Sequence, residues 1–281
     1  MTIAFWNGDY LPLDEIRVSP LDRGFLFADG LYEVAAAYQG RLFEPQAHIR
    51  RLQRGLAELR IDTGWSDADW LTLMEEMLRR SGLQGDQAVY IQVTRGASTS
   101  RGHAFPAGVK PTVFAMPSAL KRPPESWRSG GVAAITTPDI RWSRCDLKTV
   151  GLLGSVLAQQ KAVEQGVVDA IQLRDGLVTE GAATNVFVVR DGAIATPKAD
   201  HRILPGITRA VVLEIAAEAG TPVAERDVAA NELATADEVW ITSTSKEVTA
   251  VTRIDGRPVG TGKPGPVWTA IDARFQQRIG R

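Results

Sequence analysis

The sequence predicts an α+β chain in two domains, and three observations predict it. Short apolar runs separated by Asn-Gly, Gln-Gly and Asp-Gly turns read as strands, and longer stretches with apolar residues at helical spacing read as helices. A run rich in proline and glycine, Leu120 to Gly131, interrupts both patterns. With 281 residues, 44% of them hydrophobic, the chain can fill one large core or two modest ones without disulfide staples. The expected division is a first domain over 1–119, an extended connection over 120–131 and a second domain over 132–281.

In the first domain, Ile3 to Trp6 and Tyr10 to Leu13 flank Asn7-Gly8, a hairpin signature. Leu31 to Tyr38 and Arg41 to Phe43 flank Gln39-Gly40 in the same way. Pro45 suits the first turn of a helix whose apolar face is Ile49, Leu52, Leu56 and Leu59. Ser66 with Asp69 three residues later makes a capping-box-like start for a helix carrying Leu71, Met74, Met77 and Leu78, and Gly82 suits its end. Ala88 to Thr94 and Val113 to Met116 read as strands.

In the second domain, Leu152, Leu153, Val156, Leu157 and Val163 make a helix that stops near Gly166. Strands follow at Ala170 to Leu173, Leu177 to Glu180 and Val186 to Val189, broken by Arg174-Asp175-Gly176 and Arg190-Asp191-Gly192. Thr208 to Ala219 reads as a helix ended by Gly220, Glu238 to Thr242 as a strand, and a last helix starts after Pro264-Gly265-Pro266.

A formal net charge of −1 offers no excess of cations for a nucleic-acid backbone or an anionic bilayer, so neither is an expected partner. No stretch of eighteen apolar residues and no leader-like pattern occurs. Cys145 is the single cysteine, which excludes an intrachain disulfide and suits the cytoplasm. His48, His103 and His201 lack ligand spacing for a metal, no Gly-x-Ser-x-Gly turn is present, and Pro264 and Pro266 spoil the partial phosphate loop at Gly260-Thr261-Gly262-Lys263.

Four segments carry candidate chemistry. Lys148 lies between an extended segment and an apolar helix, where partial desolvation would make its amine nucleophilic, although taken alone it reads as one solvated surface lysine among many. Glu180 ends an apolar strand before Gly181 and two alanines, either as a site carboxylate or as a solvated strand end. Gly206-Ile207-Thr208-Arg209 leads straight into a helix, so its amides and the Thr208 hydroxyl suit an anion, or Thr208 is only a cap. Thr242-Ser243-Thr244-Ser245 offers further hydroxyl donors or is ordinary loop chemistry.

Taken together over nearly the whole chain, these segments resemble the class IV aminotransferases, the fold-type IV group of pyridoxal-phosphate enzymes. The resemblance rests on Trp6-Asn7-Gly8, Asp22-Arg23-Gly24, Phe27-Ala28-Asp29-Gly30-Leu31-Tyr32-Glu33 and His48-Ile49-Arg50-Arg51-Leu52. It continues through Gln92-Val93-Thr94-Arg95-Gly96, Arg101-Gly102-His103, Asp139-Ile140-Arg141-Trp142 and Cys145-Asp146-Leu147-Lys148. Val178-Thr179-Glu180-Gly181, Asn185-Val186-Phe187, Gly206-Ile207-Thr208-Arg209 and Thr242-Ser243-Thr244 complete it.

The resemblance implies a smaller N-terminal α/β domain and a larger cofactor-binding domain with a mainly β core flanked by helices. It implies pyridoxal 5'-phosphate as cofactor and Lys148 as the Schiff-base lysine that also shuttles the proton. Arg51 would anchor the phosphate together with Ile207, Thr208, Ser243 and Thr244; Glu180 would hold the pyridine nitrogen protonated, and Arg141 would lie near the phenolic oxygen. These assignments agree with the needs of a doubly charged phosphate and of an electron-withdrawing ring. Tyr32, Arg101 and His103 match the residues that grip the substrate α-carboxylate in the branch acting on D-amino acids. In that branch the last two come from the neighbouring subunit, so a homodimer with shared active sites is implied. The expected reaction is ping-pong transamination between a D-amino acid and a 2-oxo acid such as pyruvate or 2-oxoglutarate. An aminodeoxychorismate-lyase-like elimination and transamination of branched-chain L-amino acids or (R)-amines are the alternatives on the same scaffold. The small-chained strand Glu33 to Ala37 implies a roomy side-chain pocket.

Overall fold

The computed structural model describes residues 2–281 and divides into two compact units, of which the first runs to Lys121 and also takes in Leu147–Gly151. Its elements are β1 (Ile3–Trp6), β2 (Asp9–Pro12), α1 (Arg23–Phe27), β3 (Gly30–Tyr38), β4 (Arg41–Leu42), α2 (Pro45–Leu59), α3 (Asp67–Arg80), β5 (Gln87–Thr94) and β6 (Thr112–Ala119). The strands form one six-stranded antiparallel sheet in the order β2-β1-β6-β5-β3-β4. Both expected hairpins close on two residues, with Trp6 opposite Asp9 and Tyr38 opposite Arg41. Asn7 (φ 51°) and Gly8 (φ 112°) supply the two left-handed residues that such a turn needs.

On α3 the capping box is complete, Ser66 accepting from the Asp69 amide while Asp69 accepts from that of Ser66. Ile49, Leu52 and Leu56 of α2 join Trp70, Leu73, Met74 and Met77 of α3 over Leu31, Ala35, Val89, Ile91 and Val93 of the sheet. Burying each of these larger side chains contributes roughly 1.5–3 kcal/mol. Helix α1 went unpredicted because five residues cannot show a period; its signal was the cap, Asp22 accepting from the Gly24 amide at 2.8 Å.

β4 pairs with β3 only at Ala37 and Tyr38. At the other end of β3 the returning segment Leu147–Gly151 is hydrogen-bonded instead, with Tyr32 N–H donating to the Lys148 carbonyl (2.9 Å) and Val150 N–H to that of Gly30 (3.1 Å). Leu147 is part of the core of this unit.

The second unit comprises Arg122–Asp146 and Leu152–Arg281. It contains α4 (Glu125–Gly130), β7 (Val132–Pro138), α5 (Leu153–Glu164), β8 (Asp169–Arg174), β9 (Leu177–Val178), β10 (Asn185–Arg190), β11 (Ala193–Thr196) and α6 (Ile207–Glu218). After these come β12 (Val223–Glu225), α7 (Glu232–Thr235), β13 (Glu238–Ser243), β14 (Glu247–Ile254), β15 (Arg257–Pro258) and α8 (Pro266–Arg278). Its nine-stranded sheet runs β12-β11-β10-β13-β14-β7-β8-β9, with β15 on β14. The pairs β11–β12, β14–β7 and β7–β8 are parallel and the others antiparallel. Helices α6 and α8 pack on β13, burying Val211, Val212, Ile215, Trp268, Ile271 and Phe275, and Phe187 stacks on Trp240 at 5.9 Å. Both units mix helices with sheets, an α+β fold.

Two local expectations change. The stretch 120–131 is not extended throughout, because Pro124 caps α4 and Gly131 ends it. Proline and glycine there bracket one helical turn and a half. The apolar stripe of α5 also faces outward: Leu153 is 71% exposed and Val163 59%, while Ala158 and Ala162 are the buried side.

Candidate active site

In the first unit, Leu147 enters the core, and Lys148 follows it just before the bridge that Thr149 makes with Leu31. There its Nζ lies 4.2 Å from the centre of the Tyr32 ring. Tyr32 in turn stacks on Tyr90 at 5.7 Å, and burial, followed by the neighbouring Tyr32, pushes the Tyr90 phenol up to about 12.

On α2, Arg51 is 9% exposed and turned inward, whereas Arg50 is exposed. Arg51 meets Glu33 of β3 as a fork, Nε to Oε1 at 2.7 Å and Nη2 to Oε2 at 2.9 Å. His48, one turn earlier on α2, places Nδ1 2.8 Å from Glu33 Oε2. Burial would raise the Glu33 carboxyl, but Arg51 and then His48 hold it well below the usual range. Burial in turn lowers His48, so a neutral imidazole donates its Nδ1–H to Glu33. Glu33 and His48 carried no assigned role in the sequence, although a buried arginine one turn after a histidine demands a carboxylate nearby.

Arg101 and His103 sit on the exposed loop between β5 and β6. Both lie against Phe27, the Arg101 guanidinium 4.9 Å and the His103 ring 5.3 Å from its centre. Among the described residues, neither forms a hydrogen bond or ion pair with Tyr32 or Lys148.

In the second unit, Glu180 follows β9 and is 7% exposed. Its Oε2 accepts from the Leu204 amide (3.0 Å) and Asn185 Nδ2 (3.2 Å), and Oε1 is ion-paired with Arg141 Nη1. Arg141 also forks onto Asp139, Nε to Oδ1 at 2.9 Å and Nη2 to Oδ2 at 2.7 Å. Burial opposes the charge on both partners, but the Arg141 hydrogen bonds pull Asp139 down to about 2, and the Asp139 hydrogen bond raises Arg141. Glu180 and Arg141, 39 residues apart, are thus direct neighbours.

Asn185 joins the remaining pieces. It pairs in register with Thr242 of β13, donates to the Leu204 carbonyl at 2.8 Å and touches Glu180. Gly206 caps α6 without a side chain, and a Cβ there would stand 2.0 Å from Asn185 Oδ1. Thr208 is buried in the first turn of α6. Ser243 ends β13 and Thr244 opens the turn after it, Ser243 Oγ accepting from the Lys246 amide at 3.0 Å. Buried Thr242 Oγ1 has no protein partner. The donor set suits a phosphate: first-turn amides that no side chain caps, hydroxyls on Thr208, Ser243 and Thr244, and one orphaned buried hydroxyl. Among the described residues no group of His, Cys, Asp or Glu could hold a metal ion, and no helix is long and apolar enough to cross a membrane.

Residues 30–254 match the family model for amino-transferase class IV. The chain is 41% identical over 280 residues to a D-alanine aminotransferase of Staphylococcus haemolyticus, covering 99% of this chain and 98% of the relative. A D-alanine aminotransferase of Bacillus licheniformis is 42% identical over 280 residues, covering 98% and 96%. Among solved structures, a branched-chain amino acid aminotransferase of Escherichia coli superposes with a TM-score of 0.92 at 25% identity, covering 98% of this chain and 93% of that one. A second branched-chain amino acid aminotransferase, solved with pyridoxamine 5'-phosphate, gives 0.92 at 26% identity, covering 99% and 93%.

Proposed function

The chain belongs to the class IV aminotransferases, and from that premise we propose that it transfers an amino group from a D-amino acid to a 2-oxo acid with Lys148 carrying pyridoxal 5'-phosphate. When bound, that cofactor supplies an electron sink for the substrate α-carbon. Lys148 would hold the cofactor through its Nζ, and the same amine, when free, would take the substrate α-proton and give it back. Its place over the Tyr32 ring holds the amine beside β3.

Glu180 holds the pyridine nitrogen protonated, and Asn185 and the Leu204 amide keep its carboxylate in place. Arg141, fixed by Asp139, would face the phenolic oxygen of the bound cofactor. The amides of Ile207 and Thr208, the hydroxyls of Thr208, Ser243 and Thr244, and Arg51 held by Glu33 bind the phosphate. Tyr32, Arg101 and His103 take the substrate α-carboxylate. Small-molecule amino acids are the substrates, and we place the enzyme in the cytoplasm. We propose a functional division into a small domain over 1–119 and a cofactor-binding domain over 132–281, although Leu147–Gly151, with Lys148, packs in the first compact unit.

A homodimer in which the loop bearing Arg101 and His103 serves the neighbouring subunit is supported by the outward apolar face of α5, on which Leu153, Val156 and Leu157 are 71%, 56% and 45% exposed.

The 41% identity with a D-alanine aminotransferase over 99% of the chain carries the D-amino acid reading. The branched-chain enzymes with the same fold favour L-amino acids as the second reading. Mixing the holoenzyme with D-alanine or L-leucine and following the cofactor absorption band separates them: conversion by D-alanine with release of pyruvate is expected. Conversion by L-leucine alone overturns the D-amino acid reading.

A further inference from the structure

The loop between β5 and β6 bears the exposed Arg101 and His103 on a buried frame. At its neck, Gly96 (φ 97°) passes so close to Lys110 that a Cβ would stand 1.9 Å from the Lys110 carbonyl oxygen, so β5 and β6 leave the sheet held together. Beneath the tip lies Arg23 of α1, only 4% exposed. Its Nε donates to Asp29 Oδ2 at 2.8 Å, while Nη1 and Nη2 donate to the carbonyls of Gly102 (2.5 Å) and His103 (3.1 Å). Three guanidinium nitrogens are therefore committed, two of them to consecutive residues of the loop tip.

Asp29 ties this arginine to a second. Arg95 donates Nε to Asp29 Oδ2 (2.8 Å) and Nη2 to Oδ1 (3.0 Å), and also reaches the carbonyls of Leu59 (2.8 Å) and Arg60 (3.1 Å) at the end of α2. Burial would raise Asp29, but Arg95 and Arg23 hold its carboxyl below the ordinary value. On the far side of the loop, Phe105 covers Arg95 at 3.6 Å. The tip is thus tethered to α1 directly and to α2 through one carboxylate. Phe27, also on α1, meets the guanidinium of Arg23 at 4.8 Å, that of Arg101 at 4.9 Å and the ring of His103 at 5.3 Å.

Exposed loop tips of small polar residues are ordinarily mobile, and burying a guanidinium is costly unless several acceptors receive it. Here the buried guanidinium fixes the backbone at Gly102 and His103, and one aromatic ring rests against both the Arg101 guanidinium and the His103 ring. We infer that Arg23 and Phe27 are positioning residues that present Arg101 and His103 as a preformed pair to the α-carboxylate of the substrate. This rests on the proposed role of Arg101 and His103 in binding the substrate. Preorganisation of this kind lowers the ordering cost of binding without touching the reacting atoms.

The test uses holoenzyme and two carbonyl reagents that differ in a carboxylate. Aminooxyacetate and methoxyamine both capture the cofactor aldehyde, followed as loss of its visible absorption, and only the first offers an anion to Arg101 and His103. In Arg23→Lys, one ammonium nitrogen replaces the three separate nitrogens that reach Asp29 and the two carbonyls, so the fork geometry is lost; in Phe27→Leu an apolar side chain is kept and the shared ring is lost. In both variants the capture rate with aminooxyacetate is expected to fall by about tenfold and KM for D-alanine to rise by as much, the loss of a charged, oriented contact. Capture by methoxyamine and kcat are expected to stay within about twofold.

Arg101→Ala is the reference. Loss of the aminooxyacetate preference in Arg101→Ala but not in Arg23→Lys or Phe27→Leu overturns this inference and leaves the proposed carboxylate site standing. Retention of the preference in Arg101→Ala overturns both. Should Arg23→Lys fail to fold, Phe27→Leu decides alone.

Discussion

Lys246 Nζ lies 2.9 Å from Asp169 Oδ2, joining the turn after β13 to the start of β8. Asp169 is fully buried and also accepts from the Ala182 amide (3.0 Å) and the Thr184 hydroxyl (2.8 Å). One carboxylate thereby fixes the loop between Glu180 and Asn185 and, through Lys246, the turn bearing Ser243 and Thr244. Removing one partner leaves the other charge buried alone. Asp169→Asn is therefore expected to weaken pyridoxal 5'-phosphate binding by about tenfold or more, the value of a hydrogen bond to a charged group. Equilibrium dialysis of the apoenzyme with pyridoxal 5'-phosphate and with pyridoxal measures it; a loss confined to the phosphorylated ligand locates the effect at the phosphate.

Glu33→Ala strands Arg51 and His48 without their shared carboxylate, in a place where Glu33 is 1% exposed. Breaking a buried pair in this way costs about 3–5 kcal/mol. For a chain of this size a fall in Tm of roughly 10 °C is expected, read by scanning calorimetry. An unchanged Tm would show that the fork carries no stability.

Acid sensitivity is expected from Asp139. Its carboxyl is drawn down to about 2 in the folded chain, against burial, by Arg141, so the folded state binds its proton more weakly than the unfolded chain. The stabilisation is present above the ordinary carboxylate pKa of about 4 and disappears as the pH falls towards about 2. Urea midpoints measured across that window should fall more steeply for the parent than for Asp139→Asn. Parallel curves would contradict the assignment.

Lys148→Ala removes the amine proposed to hold the cofactor and to move the proton. Turnover of D-alanine is expected to fall by a factor of at least about 10²–10⁴, the contribution of a positioned acid–base group. Borohydride treatment of the parent followed by peptide mass spectrometry should place the cofactor adduct on Lys148. An adduct on another lysine would exclude the assignment.

Local patterns in the chain determined much of the secondary structure. The hairpins at Asn7-Gly8 and Gln39-Gly40, the helix entry at Pro45 and the capping box from Ser66 to Asp69 depend on residues within a turn of one another, so they were legible without the fold. Family resemblance likewise pointed to Lys148, Glu180 and Gly206-Ile207-Thr208 by segments in order. What tertiary structure alone decided is which charges meet. Glu33 meets Arg51 and His48 across 18 and 15 residues, Asp169 meets Lys246 across 77, and Arg23 meets the Gly102 carbonyl across 79. It also decided that α5 turns its leucines outward while its alanines pack inward. The physical reason is common to all of these: a buried charge takes whichever partner the packed strands and helices bring within hydrogen-bonding distance, and spacing along the chain carries no record of that distance.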